Sequence, residues 1–195
     1  MIAKRTRDFV RIGPHSSTTT ELFELLHAGN KHWDTSISNL FFQARRLAAS
    51  AVSENSETSL IVAALLFPPC QILASGTLQA GDWTSDSIHE TGTYEWLVIN
   101  FGKEVAETIR LQPFAQRFLA TVIPKYFSIL NTNTQRRVFS DGGFMSATER
   151  MTFGNNRCHH HAMKIAGWMD RGVDGCLEIP EMEFFRPFVE RALHS

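Results

Sequence analysis

The sequence predicts an all-α, single-domain fold, and three observations carry that expectation. Apolar residues recur at three- and four-residue spacing, alternating strand-like runs are lacking, and prolines and glycines punctuate the ends of the periodic stretches. No repeat, low-complexity tract or linker divides the 195 residues, so one domain of roughly eight to ten helices is expected over residues 1–195, with an N-terminal extension over about residues 1–18.

Each element has its own reason. "STTTELFELLHAGN" opens with Thr18 three residues before Glu21, a capping-box spacing, and closes at Gly29, suited to a left-handed helix end. From Asp34, the apolar positions Ile37, Leu40, Phe41, Ala44, Leu47, Ala48 and Ala51 define one buried helix face. Glu57–Phe67 is apolar nearly all round, the mark of a central helix. It is expected to stop near Phe67, because Pro68 and Pro69 follow and a residue before proline is pushed out of the α region.

"SIHETGTYEWLVINF" runs to Gly102, and "KEVAETIRL" forms a short helix before Pro113. "PFAQRFLATVIP" is a helix bounded by Pro113 and Pro124. In "DGGFMSATERMTF" a Gly142-Gly143 turn feeds a helix with Ser146 as N-cap and Glu149 three residues on. "NRCHHHAMKIAGWMDRG" is expected to continue as a long helix to Gly172, and Pro180 to open the last one from its first turn.

A net charge of −1 provides no global field for nucleic acid or anionic membrane, which leaves a small-molecule or protein partner, and a small-molecule substrate is the expectation. The basic start "AKRTRDFVR" reads as solvated surface, and no run of ~18 apolar residues exists to span a membrane. The start also lacks the apolar core of a secretory signal, so a cytoplasmic location is expected. Cys70, Cys158 and Cys176 are odd in number and widely spaced, which fits reduced thiols rather than a disulfide framework or thiolate zinc site.

Among candidate chemistries, "CHHH" at Cys158–His161 looks like a metal cluster. Successive helical residues turn by ~100°, however, so His159, His160 and His161 face different ways and do not converge. No G-x-S-x-G, phosphate loop or dinucleotide fingerprint is present. Two isolated residues stand out. His89 lies in "SIHET", and Asp170 in "GWMDRG" places a negative charge at the negative end of a helix, where something else must hold it.

The order of segments, with "GGFMSATERMTF" followed by "IAGWMD", resembles the HD-domain oxygenases that use two irons, above all the organophosphonate oxygenases related to inositol oxygenase. The likeness extends over residues 20–190 and is sharp at Gly142–Glu149 and Trp168–Asp170. It implies an HD-domain-like helical bundle. It also implies ligand positions: the early histidine falls at Asn39, the His-Asp pair at Phe67 and Pro68, and a substrate-contacting histidine at Gln71. The next ligand is kept as His89, the following one falls at Gln112, a family lysine falls at Gln116, and the final aspartate is kept as Asp170. An acidic residue ahead of the early histidine falls near His32.

Proline and phenylalanine offer a metal no lone pair, and amide oxygens are weak ligands. The resemblance thus implies a degenerate metal site, with no bound metal or cofactor. A metal-independent enzyme of isomerase, lyase or cyclase type is the first expectation: His89 and Asp170 exchange protons, and His32, Asn39, Gln71, Gln112, Gln116 and Trp168 contact the substrate. Two alternatives stay open: a non-catalytic binding pseudoenzyme, and a metal-dependent oxygenase with a rebuilt site recruiting His27, His32 or His159. The oligomeric state is open.

Overall fold

The computed structural model describes residues 35–75, 92–171 and 177–193. All regular structure among them is helical. In chain order the helices are α1 (Thr35–Ser53), α2 (Thr58–Ser75), α3 (Thr93–Arg110), α4 (Gln112–Val122), α5 (Tyr126–Ile129), α6 (Thr132–Ser140), α7 (Ala147–Gly154), α8 (His159–Asp170) and α9 (Arg186–Leu193), the last preceded by a 3₁₀ turn at Met182–Phe185. The expected helix around Glu21 lies outside the described residues.

The core is organised by α2. Every residue from Leu60 to Gln71 is buried, and the helix is packed against α1, α3 and α9. Such a helix has no solvent face, which is why its sequence is apolar all round. Helix α1 ends in a backbone-bonded cap: Asn55 takes a left-handed φ of 52°, its N–H bonds Val52 O at 2.9 Å, and the Ser56 N–H bonds Ala51 O at 3.0 Å. That reversed hydrogen-bond pair turns the chain into α2 without glycine, asparagine being tolerant of this conformation.

Three sequence expectations are corrected. First, α2 does not stop at Phe67 but runs through Pro68 and Pro69 to Ser75. Two prolines forfeit two backbone hydrogen bonds, yet burial of the surrounding apolar side chains on all sides holds the helical path. Second, the chain breaks between α7 and α8, where Asn155–Cys158 form a turn with the Asn156 side-chain oxygen accepting from the Cys158 N–H. Third, Pro180 precedes any helical residue, and the final helix is entered through the 3₁₀ turn.

Other boundaries fall where the sequence places them. Gly102 interrupts α3 with φ 81°, ψ 166°, a conformation that disfavours any side chain. Pro113 sits in the first turn of α4. Ser146 and Glu149 form a reciprocal capping box at the start of α7. A second apolar cluster joins α4, α7 and α8 through Leu111, Ala115, Phe153, Ala162 and Ala166. A third, smaller cluster of Ala120, Tyr126, Leu130 and Val138 ties α4, α5 and α6 together.

Candidate active site

Asp170 is the last residue of α8. Its carboxylate Oδ2 accepts a short hydrogen bond from the Tyr126 hydroxyl at the start of α5. Two guanidinium groups, those of Arg46 on α1 and Arg137 on α6, act on it electrostatically. Burial pushes the Asp170 carboxyl above its ordinary range, against the lowering effect of the Tyr126 bond and of Arg137 and Arg46. Burial likewise pushes the Tyr126 phenol up, and the negative charge of Asp170 adds to it.

Arg46 explains how a carboxylate is tolerated at this helix end. Arg46 is 8% exposed, and its guanidinium donates to Trp168 O at 2.9 Å and Arg171 O at 3.0 Å, with Met169 O at 3.5 Å. A cation bonded to the terminal carbonyls of α8 offsets the negative end of its dipole. It also fixes α1 to the end of α8, so that Asp170 is held from both sides.

The motif "GGFMSATE" serves the scaffold. Gly142 and Gly143 both have positive φ, and a Cβ at Gly142 would meet the Arg117 guanidinium at 3.2 Å. Arg117 is buried in α4 and donates to Gly143 O at 2.8 Å and to Glu149 Oε1 at 2.5 Å. The glycine turn therefore lets one arginine clamp the α7 N-terminus onto α4. The Ser146 backbone N–H together with Arg117 holds the Glu149 carboxyl down to about 2.

The expected site residues are distributed unevenly. His89 and His32 lie outside the described residues. Asn39 is exposed on α1. Gln71 is buried on α2 one turn beyond Phe67, which is itself fully buried. Gln112 and Gln116 are buried one turn apart on α4. The Gln112 amide donates to Thr108 O at 3.0 Å, and the side-chain carbonyl oxygens of both glutamines are buried with no hydrogen-bond partner among the described residues. Trp168, two residues before Asp170, faces another side of α8, where its indole N–H donates to Glu54 Oε1 at 2.7 Å. Arg46, Tyr126 and Arg137 were not anticipated, since their roles depend on contacts remote in sequence.

Elsewhere the geometry is structural. His159 and His160 stack ring to ring at 3.8 Å, while His161 turns towards Glu104 at 3.7 Å. Among the described residues, one trio of metal-capable side chains converges: Glu57, Glu104 and His161, with ligand atoms within 4.8 Å of one another. It does not include Asp170. A cleft of about 540 Å³ lies between α3 and the α7–α8 turn. Its central Glu107 is already engaged by Tyr94 at 2.5 Å, Arg110 at 2.7 Å and Asn156 at 3.2 Å. Burial pushes the Cys70 thiol up to about 12, which makes it a core residue and not a nucleophile.

A scaffold that is helical throughout the described residues, with a half-buried aspartate at the end of a late helix, is the arrangement that the HD-domain oxygenase resemblance implies. The chain is 32% identical over 183 residues to hydroxymethylphosphonate dioxygenase of Gimesia maris, a match spanning 90% of this chain and 89% of that one. It belongs to the oxygenase family of which that enzyme is a member. No family profile matches the chain. Among the described residues, no helix is long and apolar enough to cross a membrane.

Proposed function

We propose that the chain is an enzyme acting on a small organophosphonate-type anion bound beside Asp170. The observation that carries this reading is kinship along nearly the whole chain with a hydroxymethylphosphonate dioxygenase, combined with a half-buried, hydrogen-bonded carboxylate at the one described position where the resemblance puts a ligand and an ionisable donor is kept. Oxygenation is the reaction class that kinship favours over isomerase or lyase chemistry.

The described residues do not fit a pair of irons. At the positions where the resemblance puts the ligands, Phe67 and Pro68 are buried without donor atoms, and Gln112 presents only a neutral amide. Asp170 meets a phenol hydrogen and two cationic guanidinium groups, an environment that repels a further cation. A degenerate dinuclear site is the corollary. An oxygenase with a rebuilt centre would recruit His27 or His32, which lie outside the described residues, or His159 on α8.

A second reading, metal-free acid–base catalysis, has one specific observation in its favour: the Tyr126–Asp170 pair, in which burial favours retention of a proton at the carboxyl. The experiment that separates the readings measures bound metal, binding of hydroxymethylphosphonate and oxygen uptake on one purified preparation. Oxygen consumed with the phosphonate supports the oxygenase. Turnover that persists after chelation without oxygen uptake supports the acid–base enzyme. Failure to bind phosphonate at all overturns the proposal.

A further inference from the structure

We infer that Arg137 is the residue that docks the substrate's oxyanion at the Asp170 centre. This rests on the phosphonate-anion reading above and goes further by assigning the anion to one side chain. The three internal arginines differ in what occupies their donors. Arg46 is committed to the carbonyls that end α8, and Arg117 to the glycine turn and Glu149. Arg137 has no such commitment. Its Nε is buried and has no hydrogen-bond partner among the described residues. A guanidinium carries five donors in a planar fork, and a buried donor left open is rare enough to call for an explanation.

The surroundings show what is missing. Arg137 stands one residue before Val138, which packs with Tyr126 in the small cluster joining α5 and α6. Tyr126 in turn bonds Asp170, and Asp170 is close enough to the Arg137 guanidinium to act on it electrostatically. Asp141 and Asp170 both act on Arg137 electrostatically, yet neither forms an ion pair with it among the described residues. One oxygen of Asp170 is already taken by Tyr126. What remains is a half-desolvated cationic fork beside an occupied carboxylate. Phosphonate and carboxylate groups both match it, since each presents two acceptor oxygens to two parallel N–H donors.

The test is calorimetric titration of the full-length chain with methylphosphonate and, separately, with acetate. The wild type is expected to bind methylphosphonate, the anion with more oxygens and more charge, in preference to acetate. Arg137→Met should weaken methylphosphonate binding by about tenfold or more, because a charge-assisted bidentate contact is lost. Its melting temperature should hold or rise, since an apolar isostere replaces an unpaired buried cation. Arg137→Lys, which keeps the charge but not the fork, should bind several-fold more weakly than wild type, and it carries the test if Arg137→Met does not fold. Affinity within twofold of wild type in either variant, or a lower melting temperature with unchanged affinity, overturns the assignment of Arg137 alone. A wild type that binds neither anion overturns both this assignment and the reading on which it rests. Stronger binding of acetate than of methylphosphonate keeps Arg137 as the docking residue but shifts the substrate class to carboxylates.

Discussion

Replacing Arg46 with alanine removes the group that closes the C-terminal end of α8. Two well-formed charge-assisted bonds are lost, to Trp168 O at 2.9 Å and Arg171 O at 3.0 Å, the first of them buried. Bonds to a charged group contribute about 1.5–3 kcal/mol each, and the partly solvated one should count for roughly half. A cation at a helix C-terminus adds about 0.3–1 kcal/mol. Against this, the mutant no longer desolvates a guanidinium, which returns on the order of 1 kcal/mol or more. The net loss is about 2–4 kcal/mol, which for a chain of this size is a fall in melting temperature of about 5–15 °C. Urea unfolding followed by far-ultraviolet circular dichroism measures it. Arg46→Lys keeps the charge and should recover part of the loss. A deficit below about 1 kcal/mol for Arg46→Ala would show that α8 does not depend on this cap, and the account of how Asp170 is held would fail.

Tyr126→Phe removes a bond that favours the charged carboxylate, so the Asp170 pKa should rise further, read by carboxyl NMR titration; an unchanged value would separate the two residues. Gly102→Ala places a side chain at φ 81° and should cost about 1 kcal/mol or more in urea unfolding, though a Cβ there meets nothing within 4 Å. Ser146→Ala breaks the capping box and should cost about 1 kcal/mol by the same assay. Glu149 is held down to about 2 from 4.5, so its contribution to stability is present above 4.5 and is lost as pH falls towards 2. Glu149→Gln should therefore lose less stability than wild type across that interval. Asp170, with a raised pKa, contributes in the opposite sense: its stabilisation is full below the ordinary carboxylate range and is lost as pH rises through the folded value.

Local chemistry made much of the fold legible. The Ser146–Glu149 box, Pro113 in the first turn of α4 and the break at Gly102 depend on residues within one turn of each other, and each stands where its sequence puts it. Where tertiary packing outweighs a local rule, the same reasoning fails. Pro68 and Pro69 end most helices, yet α2 is enclosed on every side and continues through them. The site was the less legible part for a similar reason. The sequence marks Asp170 as a charge at an unfavourable helix end. Arg46 meets that end from 122 residues away and Tyr126 from 44, separations that leave no periodic trace. Trp168 stands two residues from Asp170 in "GWMD", and helical geometry turns its indole to Glu54, 114 residues away, a contact with no periodic trace either.

The functional reading is tested most directly by following hydroxymethylphosphonate with phosphorus NMR in the presence of wild type and of folded Asp170→Asn. The account predicts that the wild type transforms the compound and that the variant, with its carboxylate replaced by an amide, does not. Equal conversion by both proteins, or none by the wild type, would contradict it.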